Sequence, residues 1–130
     1  MATVFDDFVV FTPELNMIPV PAGPDVYQRL EQTYGDFKSH SLIAAHRFTE
    51  DWPTWEIHPK GDEMVILLSG SARFLLKTES GEQSHQLARA GEFLIVPRNT
   101  WHTAQIEEAC SLLFVTPGEG TLNEAEPPAV

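Results

Sequence analysis

The chain has 130 residues, a length that fits one domain, and its hydrophobic fraction of 42% is ample for a packed core. Only 8 basic side chains stand against 19 acidic ones, which argues against binding to nucleic acid, and no apolar stretch is long enough to cross a membrane. The N-terminus lacks the positive charges of a secretory signal and the single Cys110 cannot form an intrachain disulfide, so we expect a cytoplasmic protein.

Residues 1–40 predict an extended segment followed by one short helix. Apolar stretches at 8–11 and 17–20 alternate with prolines, which are tolerated at a sheet edge and not in a central strand. A helix is predicted over 26–34, because Pro24 and Asp25 precede it and Gly35 follows it. An exposed apolar segment of this kind invites pairing with a second copy, so the chain is expected to form a homodimer.

From residue 41 onward the chain predicts short strands separated by turns. Regular spacing of this kind indicates an all-β sandwich or barrel and not alternating strands and helices. We expect the barrel to occupy 41–117 and the acidic stretch 118–130 to be a flexible tail. The predicted strands are 42–48, 54–58, 63–68, 72–78, 83–88, 92–96, 102–106 and 111–116.

Two carboxylates and two imidazoles lie at the ends of these apolar runs. Glu56 and His58 are two residues apart, so on a strand both side chains leave the same face. Glu63 opens the next run after a tight turn, and His102 opens a later one. A carboxylate at the start of a run of Met, Val, Ile and Leu is costly to bury unless it is paired or binds a cation. The four side chains are therefore candidate metal ligands.

The spacing of these residues resembles the two motifs of the cupins, G-x5-H-x-H-x3,4-E-x6-G and G-x5-P-x-G-x2-H-x3-N. His58, Glu63 and Gly70 match the end of the first motif. The second motif is matched by Gly91, Pro97 and His102. The resemblance covers 44–116 and implies an all-β, cupin-type double-stranded β-helix, the jelly-roll barrel, with one short N-terminal helix and a cavity for a small molecule.

Three positions depart from the cupin pattern. Glu56 stands where the first histidine of H-x-H is expected, so the resemblance implies a metal shell of two histidines and two carboxylates. Asn99 replaces a glycine, a change that is tolerated because asparagine accepts a positive φ better than most residues. Gln105 or Ile106 stands where the final asparagine is expected.

The resemblance implies one divalent transition metal, and this donor set suits Zn, Fe, Mn, Ni or Co. Glu56 is either the fourth ligand, or it misses the metal and instead hydrogen-bonds a neighbouring group or acts as a general base beside the metal. His46 is a candidate cavity-lining group. Two functions remain open: a metal-dependent enzyme of oxygenase or isomerase type, with Glu56 as its catalytic residue, and a non-catalytic protein that binds or senses a small molecule. A third alternative is an empty site in a protein that acts through its surface.

Overall fold

A computed structural model describes residues 1–128. Within this range the fold consists of one helix and nine antiparallel strands, which confirms the predicted all-β class and the helix at 26–34. None of the described helices is long and apolar enough to cross a membrane. In chain order the elements are β1 (Asp7–Phe11), β2 (Met17–Pro21), α1 (Val26–Tyr34), β3 (Ser41–Phe48), β4 (Trp55–Ile57), β5 (Glu63–Thr78), β6 (Gly81–Leu87), β7 (Phe93–Val96), β8 (His102–Pro117) and β9 (Leu122–Glu124).

Two long strands, β5 and β8, pair with each other along most of their length, and each has different neighbours at its two ends. Toward the C-terminal end of β8 the strands run in the order β2, β1, β3, β8, β5 and β7. Toward the start of β8 the order is β9, β4, β8, β5 and β6. The main apolar core is buried around these strands and includes Val65, Leu67, Phe74 and Leu112.

The sequence predicts four strands where the structure has β5 and β8, and this part of the prediction is wrong. Gly70 reads as a turn residue, but it lies at a series of register shifts in the continuous β5–β8 pairing. Its φ is 75°, and a Cβ at this position would collide with the carbonyl oxygen of Ala109. Glycine therefore bends the strand here without ending it.

The N-terminal segment packs against the barrel through a second apolar cluster. Strands β1 and β2 form a hairpin, and β1 also pairs with β3. Phe8 and Val10 of β1 are buried with Val26 and Leu30 of α1. This packing holds α1 beside the barrel, so residues of the helix can reach its interior.

Part of the acidic stretch predicted to be a flexible tail forms a strand. Leu122–Glu124, strand β9, pairs with all three residues of β4. The residues of β9 are exposed, so their side chains carry no apolar pattern that would reveal the strand. The prediction of a solvated tail is therefore corrected for these three residues.

Candidate metal centre and pocket

Glu56, His58, Glu63 and His102 meet at one point, each contributing a ligand atom within 4.8 Å of the others. Glu56 lies in β4 directly opposite His102, the first residue of β8. His58 follows β4, and Glu63 is the first residue of β5. His58, Glu63 and His102 are buried, whereas the side chain of Glu56 is 27% exposed. The structure therefore brings together all four residues that the sequence singled out.

The ligand atoms are close to one another but poorly hydrogen-bonded. The distance from Nε2 of His58 is 2.9 Å to Oε1 of Glu56 and 3.2 Å to Oε2 of Glu63, and Nε2 of His102 lies 3.1 Å from Oε1 of Glu63. Among the described residues, both Nε2 atoms and Oε1 of Glu63 nonetheless have no hydrogen-bond partner in suitable geometry. Buried polar atoms are rarely left without a partner, so these three fit the ligands of a cation.

The remaining polar atoms of the buried candidate ligands are held by neighbouring groups. Nδ1 of His102 donates a hydrogen bond to the carbonyl oxygen of Thr100 at 3.0 Å, which leaves Nε2 of the neutral ring free to bind a metal. Nδ1 of His58 lies 2.8 Å from Oγ1 of Thr121. The hydroxyl of Thr116 donates to Oε2 of Glu63 at 2.6 Å. These contacts orient the ligands toward their common point.

The turn before His102 is hydrogen-bonded to the backbone of His58. Asn99 has a φ of 58°, the left-handed conformation that the cupin motif assigns to glycine. Its N–H donates to the carbonyl oxygen of His58 at 2.9 Å. The replacement of glycine by asparagine therefore keeps the backbone conformation that joins the two halves of the site.

Opposite charges act strongly on two of these groups. Burial raises the pKa of Glu63, but the attraction of the adjacent rings of His102 and His58 outweighs it and lowers the pKa to about 2. Burial lowers the pKa of His58, and the contacts with Glu56 and Glu63 outweigh this effect and raise it to about 9. In the absence of a metal, His58 is therefore protonated at pH 7, and its positive charge pairs with the carboxylates of Glu56 and Glu63.

A pocket of about 1070 Å³ opens beside the four residues. Glu56, His58 and Glu63 form part of its wall, so a molecule in the pocket would contact the candidate metal centre. The aromatic lining consists of Tyr27, Phe37, Phe48, Trp52 and Phe114. The volume is slightly above the usual range of roughly 300–1000 Å³ for small-molecule sites.

His46 and Tyr27 form a hydrogen-bonded pair in this pocket. Oη of Tyr27 lies 2.8 Å from Nε2 of His46. Burial lowers the pKa of His46, partly opposed by the charge of Glu56, so its ring is neutral at pH 7. Burial and the charges of Glu56 and Glu63 raise the pKa of Tyr27 to about 12, so its hydroxyl keeps its proton.

The sequence analysis pointed to His46 and missed several other residues of the pocket. Tyr27 lies on α1, where the helical pattern indicates only packing, and Trp52 lies in a segment that reads as a turn. Thr121 lies in the stretch predicted to be a tail. These residues reach the site through long-range packing, which local patterns do not encode.

Comparisons with known proteins support the cupin fold. No protein-family model matches the chain, and no curated protein matches it. The chain is similar in structure to a cupin-2 domain protein from Shewanella frigidimarina, with a TM-score of 0.51, 21% identity, and coverage of 59% of this chain and 70% of the other. The resemblance read from the two motifs is therefore confirmed for the fold.

Two structures of larger or functionally described proteins also match. A variant of oxalate decarboxylase from B. subtilis aligns with a TM-score of 0.56 and 20% identity over 65% of this chain, which spans only 24% of that protein. Hydroquinone 1,2-dioxygenase from Sphingomonas sp. TTNP3 aligns with a TM-score of 0.50 and 17% identity over 58% of each chain. At these identities the shared property is the fold.

Proposed function

We propose that this protein is a metal-dependent enzyme, of oxygenase or isomerase type, that acts on a small molecule bound inside the barrel. One divalent transition metal would be held by Glu56, His58, Glu63 and His102. The observation that carries the proposal is the set of buried, unpartnered ligand atoms of His58, Glu63 and His102 beside a pocket of about 1070 Å³. Two nitrogen and two oxygen donors suit Zn, Fe, Mn, Ni or Co.

When bound, a divalent metal supplies a Lewis acid that polarises an oxygen atom of the bound molecule. Glu56 is the most exposed of the four residues and lines the pocket, so its carboxylate is positioned to accept a proton from that molecule. The neutral His46 and the hydroxyl of Tyr27 supply a second proton-transfer group in the same pocket.

The comparisons support an enzyme of this kind without identifying its reaction. Oxalate decarboxylase and hydroquinone 1,2-dioxygenase are enzymes with a related barrel. Fold similarity alone does not transfer their reactions to this chain. The reaction type is therefore proposed from the donor set and the pocket.

Metal analysis of untagged protein, purified without added metal, tests this proposal. We expect about one divalent ion per chain in the wild-type protein and a loss of most of it in His58→Ala and His102→Ala. His85→Ala is the matched control, because His85 lies on β6 outside the described site and should leave the metal content unchanged. Full metal content in both ligand variants would overturn the proposal.

Activity screens separate the enzyme from its alternative. The metal-loaded protein is expected to turn over a small molecule, and the chelator-treated protein is expected to be inert. Turnover that persists after complete chelation would exclude a metal mechanism. Tight binding of a small molecule with no turnover would instead favour the non-catalytic sensing function.

We also propose that the protein is a cytoplasmic homodimer that pairs through β2. Met17 and Ile18 of this edge strand are exposed, by 60% and 39%. Phe8 and Val10 are buried in the neighbouring cluster, so deleting residues 1–22 would damage the fold. The double substitution Met17→Glu and Ile18→Glu is therefore the better test.

Light scattering at high concentration measures the result. The double variant is expected to shift the mass from dimer to monomer, because two carboxylates on each protomer would be buried against each other. Phe93→Glu is the control, since Phe93 is 58% exposed on another edge strand, β7. A monomeric wild-type protein would contradict the proposed dimer.

A further inference from the structure

We propose that the pocket selects an uncharged or cationic molecule that carries an aromatic ring, and that it discriminates against acids. This inference rests on the proposed function, since it names the class of molecule that would reach the metal centre. Its geometric basis is the pocket of about 1070 Å³, whose wall includes Glu56, His58 and Glu63 of the candidate metal centre.

The aromatic part of the proposal follows from a continuous wall of rings. The ring centroids of Phe48 and Trp52 are 5.6 Å apart, and those of Trp52 and Phe114 are 6.0 Å apart. Trp52 extends the wall to His102, with 6.2 Å between their ring centroids. Because these rings are tilted by 40° to 49° to one another, a flat aromatic molecule can pack against the face of one ring and the edge of the next, beside the candidate metal centre.

The charge preference follows from the ionisable groups of the pocket. Four carboxylates line it, from Glu31, Asp36, Glu56 and Glu63, and no lysine or arginine among residues 1–128 does so. A divalent metal would offset Glu56 and Glu63 only. Glu31 and Asp36 form no ion pair within 4.0 Å in the described part of the chain. The four carboxylates and a divalent metal would therefore still leave the lining with a net negative charge, although Glu31 and Asp36 are exposed to solvent.

Two arginines of the barrel strands, Arg47 on β3 and Arg73 on β5, are engaged outside the pocket. Arg47 lies over the ring of Phe5, with its guanidinium carbon 3.7 Å from the ring centroid. Arg73 donates a hydrogen bond to Ser84 and pairs with Glu107. Neither lines the pocket, so an acid entering it would meet no compensating side-chain cation there.

A matched series of small phenols tests the proposal by isothermal titration calorimetry on zinc-loaded and on chelator-treated protein. Tyramine, tyrosol and para-hydroxyphenylacetate share one ring and carry a cationic, a neutral and an anionic arm. We expect the first two to bind at least ~10-fold more tightly than the acid, because like charges repel. Hexylamine, which lacks the ring, should bind at least ~10-fold more weakly than tyramine. Equal or tighter binding of the acid, or of hexylamine, would overturn the proposal.

Variants locate the charge effect in the pocket. In Glu31→Gln/Asp36→Asn the binding of tyramine should weaken toward that of tyrosol, while the binding of tyrosol stays unchanged. Glu79→Gln/Glu82→Gln is the control, since both residues are exposed at the β5–β6 turn and the double substitution changes the net charge by the same amount. An equal weakening of tyramine binding in the control would contradict the local effect.

Failure of this inference is distinguishable from failure of the proposed function. A protein that binds no metal but ranks the phenols as expected would keep the selectivity and refute the metal-dependent enzyme. A protein that binds one metal and prefers the acid would refute the selectivity alone.

Discussion

Metal binding should depend on pH through His58, and the dependence should extend well above the ordinary histidine range. The carboxylates of Glu56 and Glu63 raise the pKa of His58 from 6.5 to about 9 in the absence of a metal. A metal must displace this proton, because only the neutral imidazole is a ligand. Metal affinity should therefore rise about tenfold per pH unit up to about pH 9, a gain of ~100-fold from pH 7.

The same shift fixes the sign of the effect on the stability of the metal-free protein. A raised pKa means that the ion pairs of His58 stabilise the fold fully below pH 6.5 and that this contribution is lost as the pH rises to about 9. Chelator-treated protein should thus lose stability over the pH window in which metal affinity increases.

Competition with a chromophoric chelator measures the affinity between pH 6.5 and pH 9, after correction for the protonation of the chelator. Calorimetry in buffers of different ionisation enthalpy should show that about one proton is released per metal at pH 7. In Glu56→Gln one of the two carboxylates that raise the pKa is removed, so the pH-dependent range should move down. An affinity that levels off above pH 7, or no proton release, would refute this reasoning.

Three further predictions concern groups around the site and the bend in the barrel. His102→Ala should lose most of the bound metal in elemental analysis, since it removes a fully buried candidate ligand. Thr116→Val removes the hydrogen bond to Glu63 and should weaken metal binding ~10- to 100-fold in the chelator assay while the circular dichroism spectrum is unchanged. Gly70→Ala should lower the free energy of unfolding in urea by more than about 1 kcal/mol, because of its φ of 75° and the collision with Ala109. Gly81→Ala, at a φ of 107° with nothing nearby, should cost less, and equal losses would show that the collision is unimportant.

The convergence of the four candidate ligands could be predicted because it depends on short-range spacing. Glu56 and His58 share a face since they are two residues apart, and Glu63 follows them after one tight turn. Only His102 requires long-range information, and the second cupin motif supplied it. The prediction of a metal at these residues awaits the metal analysis.

The parts that could not be predicted depend on pairing between distant segments. A glycine such as Gly70 is typical both of a turn and of a β-bulge, so the local sequence does not distinguish them. Only the continuous pairing of β5 with β8 shows that Gly70 lies within a strand. β9 has exposed residues and an acidic surrounding sequence, so only its pairing with β4 defines it as a strand. Trp52 and Tyr27 enter the pocket for similar long-range reasons.

The contact between Thr121 and His58 determines the smallest portion of this protein that could be transplanted as a working site. A designer who grafted residues 41–117 into another barrel would carry every candidate ligand, but would leave behind the hydroxyl beside Nδ1 of His58 and the strand that borders β4. A transplanted site would therefore have to include the chain at least to residue 124. By the same reasoning, substitution of Thr121 alone should change metal affinity without altering any candidate ligand.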